Sequence, residues 1–177
     1  MQLTYKYRLN PTSAQRTALN ATLDACRWVY NKTLEVRKEA WEPRKESVSY
    51  YDSKKLIPTW KAEHPFLTQA HSQVLQNAGM RVDLALQAFF RRVRKGETPV
   101  PGGNPPRFRH QERYDSFTLP QYESGWKWVP SGYDSGRLRL FKIGDVKIKL
   151  HLPSKARLKP LLSNAIGLVM GTPVSLV

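Results

Sequence analysis

Six of the ten positions from 97 to 106 are proline or glycine: Pro99, Pro101, Gly102, Gly103, Pro105 and Pro106. Proline removes a backbone donor and fixes φ, so neither a helix nor an inner strand crosses such a run. The hydrophobic period also changes there. Before the run, apolar residues recur every three or four positions; after it, they alternate. The chain therefore divides into a helical part and a part made of short strands, an α+β arrangement.

The helical part is preceded by one strand, in which Leu3, Tyr5, Tyr7 and Leu9 share a face and which Asn10 and Pro11 end. Thr12 and Gln15 form a capping box. A long helix runs from there to about Glu46, with Leu19, Leu23, Cys26, Tyr30 and Leu34 as its apolar stripe, and Pro43 kinks or stops it. A second helix spans Asp52 to about Glu63, capped by Asp52 or Ser53. A third runs from about Thr68 to Lys95, with Val74, Asn77, Ala78, Val82, Ala85, Phe89 and Val93 inward. Gly79 costs this helix about 1 kcal/mol against alanine unless a neighbour packs closely there, and Gly96 is its C-cap. Beyond the linker, 116–119, 126–129, 137–140 and 146–150 read as strands, with a turn at 143–145.

Lys and Arg number 29 against 14 Asp and Glu, a formal charge of +15. Such an excess repels itself in a compact chain and calls for a polyanionic partner, of which nucleic acid is the usual one. Hydrophobic residues are 40% of the chain, enough for a packed core. The one cysteine, Cys26, excludes a disulfide within the chain and a Cys-rich zinc site, and reads as a small buried hydrophobe. No apolar signal core opens the sequence and Leu161 to Val177 is too interrupted to span a membrane, so a cytoplasmic protein, nucleoid-associated when bound, is expected.

The densest basic stretch flanks the linker: Arg91, Arg92, Arg94 and Lys95 before it, Arg107, Arg109 and Arg113 after it. Phe89, Phe90, Phe108, Tyr114 and Phe117 interleave with these cations. Guanidinium groups grip phosphates and aromatic faces stack on bases. The competing reading is a solvated helix end with Phe89 and Phe108 in the core. A second basic face, Arg137, Arg139, Lys142, Lys147 and Lys149, lies opposite Leu138, Leu140, Ile148 and Leu150; its competing reading is an ordinary solvated sheet. His64, His71, His110 and His151 lack metal-ligand spacing, and neither a phosphate loop nor an acidic cluster stands out, so no catalytic residue, metal or cofactor is assigned.

Six stretches in order resemble the N-terminal half of the TnpB (IS605 OrfB) transposon-encoded proteins. They are Tyr7 to Pro11, Arg27 to Lys32, Ser72 to Gln76, Ala88 to Arg91, Pro106 to Phe108 and Gly144 to Ile148, covering residues 1 to about 152. The resemblance implies an RNA-guided DNA endonuclease family, with a guide RNA from the transposon end and target-flanking DNA as partners. It implies a small wedge-like β-barrel: strand 1–12, an inserted helix-turn-helix-like recognition domain at 13–95, the linker at 96–106, and the remaining strands at 107–153. It also implies that Tyr50, Ser72, Gln73, Gln76 and Thr118 lie near the flanking motif. A helical glutamine such as Gln76 can bond adenine in a groove. The family's nuclease domain and Cys-rich element have no counterpart here, so binding without cleavage is expected; a stand-alone repressor is the alternative. The six residues Val100 to Pro105 also lengthen the link before Pro106.

Residues 160–177 carry no charge. From Pro153 to Asn164 a shifted reading frame permits an alternating strand like the family's at this point. A frameshift near codon 152 is therefore expected, with 154–177 an aberrant tail lacking a fold and the barrel left with an open edge.

Overall fold

The computed structural model describes residues 7–96, 104–131, 135–149, 165–170 and 174–176. Strand β1 (Tyr7–Asn10) leads into helix α1 (Ser13–Arg44). Tyr7 and Leu9 are buried as expected, while Leu3 and Tyr5 lie outside the described residues. The capping box is formed: Gln15 N donates to Thr12 Oγ1 at 3.3 Å, and Thr12 N donates to Gln15 Oε1 at 3.0 Å. Two amides with no partner inside the helix are thereby satisfied. Gln15 Nε2 also donates to Asp145 O at 2.9 Å, tying the helix start to the strand region. Pro43 sits in the last turn, and Lys45, at φ 54°, closes the helix by donating to the carbonyls of Ala40 and Trp41.

The expected second helix is two helices, α2 (Tyr50–Lys55) and α3 (Ile57–Glu63), meeting at Leu56. Pro58 explains the division. It has no N–H and its ring would strike the carbonyl four residues back, so it is accommodated only in a first turn. The cap of α2 is Ser49, which accepts from Asp52 N at 3.2 Å; Asp52 and Ser53 are inside the helix. A 3₁₀ turn at Pro65–Gln69 precedes α4 (Ser72–Lys95), which ends on Gly96 at φ 67°. Val74, Leu75, Ala78, Gly79 and Val82 are buried, but the expected stripe stops short: Ala85 and Phe89 are half-buried and Val93 is exposed.

Gly79 faces α1, yet a Cβ there would stand 3.6 Å from Thr33 Oγ1, an ordinary contact. No close approach requires glycine at this position. Gly79→Ala is expected to raise the unfolding free energy by about 1 kcal/mol, read from denaturant midpoints. A loss of stability would show that α1 and α4 approach more closely than this.

The strands are β2 (Ser116–Leu119), β3 (Trp126–Pro130), β4 (Ser135–Leu140), β5 (Gly144–Lys149), β6 (Ile166–Val169) and β7 (Ser175–Leu176). With β1 they form one seven-stranded antiparallel sheet among the described residues, ordered β2-β6-β7-β1-β5-β4-β3. Leu9, Phe117, Leu119, Trp126, Leu138, Leu140, Val146 and Ile148 join the helical residues in one core. Gly136 is required: a Cβ there would lie 2.2 Å from the Trp128 ring that covers β4.

Two expectations are corrected. Among the described residues the sheet is not a closed barrel; its edges are β2 and β3. Nor is the tail without structure where it is described. Ile166, Leu168 and Val174 are buried, and β6 pairs with β2 from Ser116↔Val169 to Leu119↔Ile166. A strand enclosed between β2 and β7 needs no charged side chain, which accounts for the uncharged segment there.

Candidate nucleic-acid interface

The break at Leu56 and the start of α4 create a groove of about 530 Å³. Lys54 and Lys55 come from the last turn of α2, Lys61 from α3, and Ser72 and Gln76 from the first turns of α4. Tyr51 stands on the rim, 72% exposed, its ring 5.6 Å from that of Tyr50. Tyr50 donates its hydroxyl to Gln76 O at 3.4 Å, and burial pushes its phenol above the usual value. Gln76 is also one of the residues that line the groove.

One end of the groove is strongly cationic. Lys61 Nζ donates to Ser72 Oγ at 2.7 Å, and Lys142 Nζ donates to Thr68 O. Burial, then the neighbouring Lys142, holds the Lys61 ammonium below its usual range. His71 is likewise held down, first by burial and then by Lys142 and Lys61. Like charges gathered beside a helix N-terminus, itself a positive dipole end, make a positive field.

Of the five residues implied to lie near the flanking motif, Tyr50, Ser72 and Gln76 share this region. Gln73 is turned elsewhere, its Nε2 donating to Gln121 Oε1. Thr118 is held on β2, its Oγ1 accepting from Arg81 Nη2 at 2.9 Å. Sequence reasoning passed over Lys54, Lys55 and Lys61. Their signal, three lysines spaced along two short helical turns, is visible only once Pro58 is recognised as a helix start.

Arg91, Arg92, Arg94 and Lys95 are exposed at the end of α4, and Arg107 and Arg109 are exposed beyond the linker. Residues 107–109 return along α1. Asn31 Nδ2 donates to Arg109 O at 3.0 Å and Arg109 N donates to Asn31 Oδ1 at 2.8 Å, a reciprocal amide pair. Lys38 Nζ lies 4.9 Å from the centre of the Phe108 ring. The interleaved aromatics therefore separate: Phe90 and Phe108 are exposed, Phe89 is half-buried, and Tyr114 and Phe117 are core.

Arg137, Arg139 and Lys147 project from the sheet opposite buried Leu138, Leu140, Val146 and Ile148. Arg137 stands across from Lys147, and Lys127, an exposed residue missed in the sequence, across from Arg139. Arg139 is neutralised: Nε and Nη2 donate to Asp145 Oδ1 and Oδ2 at 2.7 and 3.0 Å. Lys142 lies on a turn at φ 69° instead of on this face. Lys149 ends β5, and its side chain falls outside the described residues. Cys26 is fully buried and burial pushes its thiol to about 12, so it is the inert hydrophobe expected. Among the described residues, no three His, Cys, Asp or Glu side chains gather as metal ligands, and no helix is long and apolar enough to cross a membrane.

A long capped helix crossed by a second, with cations concentrated along a groove and on one sheet face, defines a basic α+β module with a polyanion-facing surface. The comparisons identify its kin. Residues 1–46 match the helix-turn-helix domain of the OrfB proteins of IS605. A protein of Streptomyces pristinaespiralis described as a candidate RNA-guided DNA endonuclease is 38% identical over 158 residues, 86% of this chain and 35% of the relative. InsQ of Escherichia coli K12, similarly described, is 27% identical over 142 residues, 79% of this chain and 32% of the relative. Over most of its length the chain is similar to these relatives, and it spans about a third of their length. Within the matched 1–46, the described residues form β1 and the single helix α1; the helix packed across α1 is α4.

Proposed function

We propose that this chain is the nucleic-acid-binding part of a TnpB-like RNA-guided DNA endonuclease, holding target-flanking DNA and guide RNA without cleaving either. The observation that carries the reading is the groove, where Lys54, Lys55 and Lys61 surround Ser72 and Gln76. Lysines neutralise backbone phosphates and release counterions, while a glutamine amide can bond an adenine edge. The DNA flanking the target occupies this groove, with Tyr50 beside it. Gln73 and Thr118 take part only if their bonds to Gln121 and Arg81 open. The exposed Arg91, Arg92, Arg94, Lys95 and Arg107, and the sheet face with Lys147 and Lys149, take the guide RNA from the transposon end. Residence on the nucleoid follows from that binding.

The test is fluorescence anisotropy of a labelled duplex and a transposon-end RNA across a salt series. Binding should fall steeply as salt rises, and Gln76→Ala should erase about 1–3 kcal/mol of discrimination between flanking sequences. Salt-independent binding would overturn the reading. Metal-dependent cutting of the duplex by the purified chain would overturn its non-cleaving part.

A further inference from the structure

Where α1, α4 and the start of β2 meet there is a pocket of about 280 Å³, against about 30 Å³ for one water molecule's share of the liquid. Three arginines are among its lining residues, Arg81, Arg109 and Arg113. Among the described residues none of the three is in an ion pair. Asp115, exposed, is the one carboxylate in the lining. Arg81 is positioned by donating from Nη1 to Ser116 O at 2.7 Å and from Nη2 to Thr118 Oγ1 at 2.9 Å, which uses two of its five N–H groups. Arg109 is positioned by the Asn31 amide pair and lies 6.0 Å from the centre of the Tyr30 ring.

The back of the pocket carries the second observation. Tyr114 is 6% exposed; its buried hydroxyl makes no hydrogen bond of normal geometry, and the Arg81 guanidinium is its polar neighbour. Burial pushes this phenol well above its usual range, so it is a neutral O–H donor at physiological pH. A buried hydroxyl left unpaired is costly. Beside three arginines without an ion pair among the described residues, an acceptor that is also an anion suits both the hydroxyl and the cations.

We propose that this pocket binds one phosphate group, gripped by Arg81, Arg109 and Arg113 and bonded by the Tyr114 hydroxyl. Its source is a phosphodiester of the bound RNA, which rests on the nucleic-acid-binding reading above. A free phosphate would use the same chemistry.

The experiment uses the full chain, Tyr114→Phe, and the double variant Arg109→Gln/Arg113→Gln. Thermal midpoints are measured in inorganic phosphate and in chloride at equal ionic strength. Affinity for single-stranded RNA is measured across a salt series. Phosphate should raise the Tm of the full chain and leave the double variant unmoved. Tyr114→Phe should match or exceed the parent Tm in chloride, because it removes an unpaired polar group, and should respond less to phosphate. The double variant should bind RNA about fivefold more weakly near physiological salt, its salt slope smaller by about one unit. A phosphate response with an unchanged RNA slope keeps the pocket and assigns it to a free phosphate. A phosphate response in a chain that binds neither RNA nor DNA keeps the pocket and sinks the nucleic-acid reading. No phosphate response, together with unchanged RNA binding in both variants, overturns the proposal.

Discussion

Leu168→Ala is expected to lower the unfolding free energy by about 3 kcal/mol, within the usual 2–5 kcal/mol for a buried leucine. Leu168 is fully buried on β6, in register with Phe117 of β2 and with Leu176 of β7. Truncating it removes apolar contacts and leaves a cavity that the enclosing strands cannot readily collapse, because their positions are set by backbone bonds. The result also decides between two accounts of the tail. A sequence mistranslated after a frameshift has no selected core position, so its leucine could be shortened at no cost. Urea denaturation of the two proteins measures the difference, and equal midpoints would mean that the segment does not pack. The loss should appear at an unchanged m-value if the fold is otherwise kept.

The second large effect concerns binding. Replacing Lys54, Lys55 and Lys61 together by glutamine should weaken duplex binding about a hundredfold near physiological salt. Each phosphate contact releases about 0.9 of a counterion, worth about 1 kcal/mol at that salt, and three contacts multiply. The salt slope should fall by about three units. All three side chains line the groove and none is fully buried, so the variant is expected to fold. Lys61 loses its bond to Ser72, and Lys55 its exposed ion pair with Asp52 at 3.7 Å. Wild-type affinity in the triple variant, with an unchanged slope, would move the DNA off this groove. Loss of duplex binding with RNA binding intact would separate the groove from the basic end of α4 and from the sheet face.

Local chemistry made much of the fold legible. Thr12 and Gln15 announce α1 because a capping box is a bond between residues three apart. Gly96 announces the end of α4 because only a positive φ closes it there. Alternation placed Leu138, Leu140 and Ile148 in the core and Arg137 and Lys147 in solvent. The division at Leu56 was also legible in principle, since Pro58 cannot sit within a continuous helix. For the site, the residues Ser72 and Gln76 came from a resemblance, whereas the lysines opposite them did not.

What the sequence by itself determined is therefore the set of elements, their inward faces, the overall positive charge and the similarity to TnpB-type proteins. Each depends on neighbours in the chain or on residue order. Tertiary structure alone decided which strands adjoin. It placed β6 and β7 between β2 and β1, across more than a hundred residues of chain for the β1–β7 pair, and among the described residues left the sheet open instead of a barrel. It also decided which cations act together. Arg81 comes from α4 and Arg109 and Arg113 from the segment that precedes β2, and only packing brings them to one pocket. Coulomb energy depends on distance in space, and no spacing along the chain encodes it.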